Sequence, residues 1–314
     1  MLKFLIKLSA FLVLTIVLFM LPPILLRNIT YENSIMAVLP DKHKLLQQTT
    51  QPKIIFVGGS NVSMGIDSKL VADSCQMPVV NTAIAIWLGL KFMLNDVKPY
   101  VKKGDIVVIA AEYTCYDESL DEKGWNGSRE LLAILFDIYP SGNAYLDMGQ
   151  IIHLAKFLPH YTVSEINTSI AGHPKGMFND ISVRRSFNGY GDLSAHWQQV
   201  KIPFAPEEKC NGREQVNPEA MRFLKDFNGF VKSKGAKLIV LPPTLQAQSF
   251  RNQQFIIKKI EAQLKSIDVP FSARPERYIA KDIYCNDSPY HLTRQGVAIR
   301  TRLVAEDIAK KIDR

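Results

Sequence analysis

The chain has 314 residues, 47% of them hydrophobic and 22% charged, with a formal net charge of +8 and a pI of about 9.2. That length supplies a large core and excludes the smallest domain classes. The basic residues are dispersed and form no RNP-like, zinc-finger or helix-turn-helix pattern, so the charge argues for anionic lipid or anionic glycan and against nucleic acid.

The first element is apolar. "LSAFLVLTIVLFMLPPILL", Leu8 to Leu26, carries no charge, and a bilayer span needs about 20 such residues. Lys3 and Lys7 precede it and Arg27 follows, so the positive-inside rule puts the amino end in the cytoplasm and the bulk of the chain across the inner or plasma membrane. The run exceeds the roughly 7–15 residues of a signal-peptide core, and no A-x-A-like site follows it. Residues 1–27 are therefore expected to be an uncleaved, single-pass transmembrane anchor. Pro22 and Pro23 are expected to kink or end its helix. Residues 28–50 read as a polar connector.

From residue 51 a β/α rhythm begins. "KIIFVGG" (53–59) reads as a strand, "SKLVADSC" (68–75) as a helix and "MPVVNTAI" (77–84) as a second strand. "GLKFMLNDVKPYV" (89–101) is a helix by the spacing of Leu90, Met93, Leu94, Val97 and Val101. "GDIVVIAAEY" (104–113) is a third strand. Short apolar strands alternating with helices imply a parallel sheet with right-handed crossovers. Residues 114–215 break the rhythm with "PSGN", "GHPKG" and "FNGYGD". They are expected to form an insertion of helices and loops, a lid or a substrate surface. "FNGYGD" is expected to be a tight turn. The rhythm returns with a helix over 217–235, a strand over 236–244, a helix over 251–267, a short strand within "VPFSARPERYI", and a closing amphipathic helix over 293–312.

Cys75, Cys115, Cys210 and Cys285 form no C-x-x-C pair, and His153, His160, His173 and His196 lack H-x-x-x-H spacing. No metal and no cofactor are expected. The cysteines are either one or two extracytoplasmic disulfides or small buried hydrophobes.

"VGGSN" places Ser60 directly after the first strand, where α/β proteins put their chemistry. It is not a G-x-S-x-G elbow, because residue 62 is Val62. A nucleophilic serine needs a base, an orienter for that base and oxyanion donors. His291, in "CNDSPYHLTRQG" before the last helix, is the candidate base. Asp287, four residues upstream, is the candidate orienter. The backbone N–H groups of Asn61 and Ala85 are candidate oxyanion donors, with the side chains of Asn61 and Asn81 as further candidates.

These residues resemble the SGNH/GDSL hydrolase superfamily. "VGGSN" is similar to its nucleophile block, "VVNTAIA" to its second block, and "DSPYHL" to its carboxyl-terminal D-x-x-H block. The likeness covers most of 53–113 and 236–312. It implies a three-layer α/β/α, flavodoxin-like domain over 51–314, with the 114–215 insertion outside it. Three departures stand out. Gly59 replaces the Asp before the serine, and Ala85 replaces the second-block Gly. The third block reads "AAEY", with Glu112 where an oxyanion Asn is expected. A carboxylate donates no hydrogen bond unless protonated, so either the donor comes from elsewhere, Glu112 is neutral, or catalysis is weak. The Asp-to-His spacing is also one residue longer than usual, with Ser288 at the usual Asp position. With one anchor, the pattern looks most like the membrane-anchored branch that includes alginate O-acetylation and teichoic-acid D-alanine transfer proteins. The resemblance implies extracytoplasmic O-acyl transfer or ester hydrolysis on a cell-surface glycan, with a multi-pass acyl-transfer membrane protein as partner. In that reading Trp125, Tyr190 and Trp197 stack on sugar. The rival is a degenerate site in a glycan-binding or assembly component of a polysaccharide export complex.

Overall fold

The computed structural model describes residues 1–25, 34–118, 123–171, 181 and 183–312. Arg27, the whole of "GHPKG" with His173, and the first part of the connector lie outside them.

In chain order the named elements are α1 (Leu2–Leu25), α2 (Leu39–Gln48), β1 (Ile54–Val57), α3 (Ser60–Ser63), α4 (Ser68–Cys75), β2 (Val79–Asn81), α5 (Leu90–Val97) and β3 (Ile106–Ile109). The insertion contributes α6 (Lys123–Asn126), α7 (Arg129–Ala133), α8 (Met148–Ala155) and α9 (Leu158–Ala171). The chain closes with α10 (Pro218–Ser233), β4 (Lys237–Val240), β5 (Leu245–Gln246), α11 (Ala247–Ser266), β6 (Ile279–Ala280), β7 (Cys285–Asn286), β8 (Ser288–Leu292) and α12 (Arg294–Ile312).

Helix α1 is apolar on every side, long enough to cross a membrane and almost bare. Only Thr15, Phe19, Met20, Pro22 and Pro23 are partly or fully covered, where α9 packs against its carboxyl half. The helix runs through Pro22 and Pro23 to Leu25 instead of ending at them.

The central sheet is parallel, in the order β2-β1-β3-β4. Successive side chains of a strand point to opposite faces, and each face is buried. Ile55 and Val57 of β1 join Leu94 of α5, Leu224 of α10 and Ile260 of α11. Ile54 and Phe56 join Val71 of α4 and Val304 and Ile308 of α12. A strand apolar on both faces is the sequence signature of this arrangement. "VPFSARPERYI" yields a parallel bridge from Phe271 to Val240 and then β6, which pairs with β5.

Two open readings are narrowed here. The described part of the insertion joins the core, with Trp125, Leu131, Ile134, Leu154 and Tyr161 buried in the same cluster as the sheet face. Trp125 is fully buried, edge-on to Phe223 at 5.5 Å, so it cannot stack on a sugar. The cysteines form no disulfide. All four are free thiols, and Cys115 and Cys285 are buried.

Candidate active site

The site stands at the carboxyl ends of β1 and β3, where parallel sheets open a crevice. After β1 the chain turns through Gly58 and Gly59 into the single turn α3. Ser60 is the first residue of α3, so it starts a helical turn rather than sitting in a plain loop. A side chain at 59 would put its β-carbon 3.0 Å from the Ile86 nitrogen and 3.1 Å from Glu112 Oε1. Gly59 and Glu112 therefore share one space, and the carboxylate fits because residue 59 has no side chain. Below the turn, buried Arg300 of α12 donates to the Asn61 carbonyl. A β-carbon at Gly65 would lie 2.5 Å from that guanidinium. Burial lowers the Arg300 pKa to about 10.

The structure brings Ser60, His291 and Asp287 together. His291 Nε2 lies 2.8 Å from Ser60 Oγ, and His291 Nδ1 lies 2.8 Å from Asp287 Oδ1. Burial pushes the Asp287 carboxyl up, but its hydrogen bonds with His196 and His291 outweigh this and hold it well below the usual carboxylate range. An ionised Asp287 only accepts, so Nδ1 carries the imidazole proton and Nε2 is left to accept from the serine hydroxyl.

The hairpin of β7 and β8 sets this geometry. His291 lies on β8, not on a loop before the last helix as the sequence suggests. Asn286 pairs with Ser288 across the turn, and Asp287 between them has φ +36°. That left-handed conformation is one that Asp tolerates better than most residues, at a cost of about 1–3 kcal/mol. It turns the carboxylate back towards His291 and accommodates the long Asp-to-His spacing. Ser288, at the usual Asp position, instead accepts from the Tyr290 amide at 3.1 Å. Ile202 flanks the turn, accepting from the Asp287 amide and donating to Asn286 Oδ1.

Sequence reasoning missed His196. It lies in a 3₁₀ turn of the insertion, is 1% exposed, and places Nε2 3.4 Å from Asp287 Oδ2. Its ring is edge-on to His291, with centroids 5.6 Å apart. Asp287 thus stands between two imidazoles. No local spacing could signal a residue so far away in the chain. Among the described residues, His196, Asp287 and His291 also form a cluster with the reach to hold a metal ion. A cation there would compete with the Asp287–His291 hydrogen bond, so the two arrangements exclude one another.

The proposed oxyanion donors fare differently. The Asn61 N–H points into the site, but it donates to Glu112 Oε1 at 3.2 Å. The Asn61 side chain is turned away, donating to the Ala110 carbonyl at 2.9 Å. Asn81 is no site residue. Its Nδ2 donates to Asp192 and to the Val62 carbonyl, because it ties β2 to the "FNGYGD" turn. Asp192 is fully buried and accepts from Ser68, Asn81 and Asn188, so this turn is a structural clasp. The backbone amide crowding Gly59 is that of Ile86, one residue beyond the expected Ala85.

Glu112 Oε1 also lies 3.4 Å from Ser60 Oγ. Burial raises the Glu112 pKa, against the opposing pull of His291, the Asn61 amide, Ser60 and Arg300. The site therefore holds two carboxyls of opposite tendency, Asp287 pushed towards ionisation and Glu112 towards neutrality. Comparison with protein-family models, curated proteins and solved structures finds no match to this chain.

Proposed function

We propose that this chain is a membrane-anchored serine enzyme of the SGNH type, with the three-layer arrangement of that superfamily, which transfers acyl groups to oxygen. The observation that carries the proposal is the continuous relay Ser60 Oγ–His291–Asp287, with 2.8 Å at both junctions. Ser60 attacks the carbonyl of an ester or thioester donor while His291 Nε2 takes the hydroxyl proton. The leaving group departs with that proton, and the acyl group remains on Ser60. An acceptor hydroxyl, or water, then gives its proton to His291 and takes the acyl group, and His291 returns the proton to the departing Ser60 Oγ, regenerating both. Asp287 holds the Nδ1–H tautomer and stabilises the imidazolium. His196 positions Asp287. The Asn61 amide and a protonated Glu112 donate to the oxyanion. With α1 as a single-pass anchor, the domain faces outside the cytoplasm, and the acceptor is a cell-surface glycan reached together with a multi-pass acyl-transfer partner.

The test is covalent labelling of the full-length chain in detergent. A fluorophosphonate is expected to add once to wild type and not to Ser60→Ala or His291→Ala, read as intact mass. No adduct on folded wild type would overturn the enzymatic reading.

One observation favours a second reading. The Glu112 carboxyl occupies the Asn61 amide that a tetrahedral intermediate needs. If it stays ionised there, the site is blocked, and the chain serves as a glycan-binding or assembly component.

A further inference from the structure

Helix α9, which packs on α1, and its neighbour α8 both leave apolar side chains uncovered. Met148, Ile152 and Ile170 are 69%, 67% and 81% exposed, and Ile151 and Val163 about half exposed. Val163, Ile166 and Ile170 recur at helical spacing, so they line one stripe of α9. Patches of this kind mark interaction surfaces.

Three observations indicate what covers this one. First, α9 is pinned to α1 inside the apolar stretch. The Thr162 hydroxyl donates to the Phe19 carbonyl at 2.7 Å. Phe19 precedes the end of α1 at Leu25 by six residues, or about 9 Å at 1.5 Å per residue. Helices lying in a membrane interface bury their apolar face about 5–10 Å deep. Second, α9 has only 14 residues, about 21 Å, which is too short to cross a hydrocarbon core of about 30 Å. Third, the rim carries cationic side chains: Lys156 is exposed, and Arg129 of α7, paired with Glu130 at 3.2 Å, also donates to His160 Nδ1 at 3.3 Å. The acid within α8 and α9, Glu165, is buried.

We infer that α8 and α9 form an interfacial seat, sunk in the lipid leaflet at the carboxyl end of α1, with Lys156 at anionic headgroups. The inference rests on the reading of α1 as a membrane span. The occupant is lipid: the stripe is level with the last turns of the span, and its rim has the charge that an anionic leaflet attracts. Anchor and seat together fix the rotation of the domain about α1, which a single helix followed by a connector would leave free.

Depth-dependent quenching tests this. In a full-length chain carrying Cys75→Ser and Cys210→Ser, single labels are introduced by Ile152→Cys or Ile170→Cys. Control labels are Val13→Cys on α1 and Phe255→Cys on α11. Each is tagged with bimane and reconstituted into phosphatidylcholine–phosphatidylglycerol vesicles. Lipids brominated near the headgroup are expected to remove at least about half of the emission at 152 and 170, with little quenching by aqueous iodide. The label at 255 is expected to show the reverse. The seat is overturned if 152 and 170 behave like 255 while 13 is quenched by deeply brominated lipid. A face that binds a protein partner instead of lipid would give that result. No lipid quenching at 13 would overturn the membrane reading itself, and the seat with it.

Discussion

Replacing Glu112 by glutamine separates a working oxyanion site from a blocked one. An ionised Glu112 and the oxyanion would share the Asn61 amide, about 4 Å apart, and at an effective dielectric of 20 their repulsion is about 4 kcal/mol. That is roughly 10³-fold in rate. A neutral carboxyl escapes this repulsion and supplies a donor, whose removal costs about 10²–10³-fold. Burial raises the Glu112 pKa, and the proposed mechanism uses the neutral form. Glu112→Gln is expected to stay within about tenfold of wild type, and Glu112→Ala to fall about 10²-fold. Wild-type activity is expected to decline as pH rises through the raised Glu112 pKa, and this decline is absent in Glu112→Gln. Stability follows the same group. The folded pKa lies above the unfolded value of 4.5, so its contribution is whole below 4.5 and is lost as pH rises to the folded pKa. Glutamine removes that loss. The assay is kcat/KM for p-nitrophenyl acetate from about pH 5 to 9, with urea unfolding alongside. A rise of about 10³-fold in Glu112→Gln would show an ionised, inhibitory carboxylate, and full activity in Glu112→Ala would remove Glu112 from the hole. Either result refutes the reasoning.

Other variants probe the rest of the site. Asp287→Asn presents an amide N–H to His291 Nδ1, leaves Nε2 unable to accept, and is expected to cost about 10⁴-fold in kcat, as in the serine-protease triad. Labelling rates with a fluorophosphonate check it without a known substrate. His196→Ala removes one of the hydrogen bonds that hold Asp287 in place and ionised, so the fluorophosphonate labelling rate is expected to fall about tenfold. His196→Gln keeps an N–H donor and is expected to recover most of that loss, whereas an unchanged labelling rate in His196→Ala would count against the positioning role. Asp192→Ala leaves the buried polar groups of Ser68 and Asn81, and the half-buried Asn188 amide, without their acceptor. It is expected to destabilise the fold by about 3–5 kcal/mol in urea.

The sequence by itself determined the sheet and the poles of the site. Runs such as "IIFV" and "IVVI", apolar at every position, are what a strand covered on both faces requires, and β1 and β3 form there. The spacing of Leu90, Met93, Leu94 and Val97 placed α5, and the uncharged stretch placed α1. Ser60, His291 and Asp287 were legible because a strand end and the approach to the last helix are positions that the chain pattern marks. The two strands of the β7–β8 hairpin were not legible, because they cover Cys285–Asn286 and Ser288–Leu292, too short for alternation to register. Tertiary structure alone decided the roles of the amides and of His196. Asn81 and Asn61 carry the same donors whichever way they point, and what turns them from the site is the neighbouring Asp192 and the Ala110 carbonyl. Trp125 looked like a ligand-stacking residue and is core, because Phe223 of α10 covers it. His196 reaches Asp287 across 91 residues of chain. Periodicity reports how a residue is buried locally, whereas a hydrogen-bond partner so distant in sequence is chosen by how the layers pack.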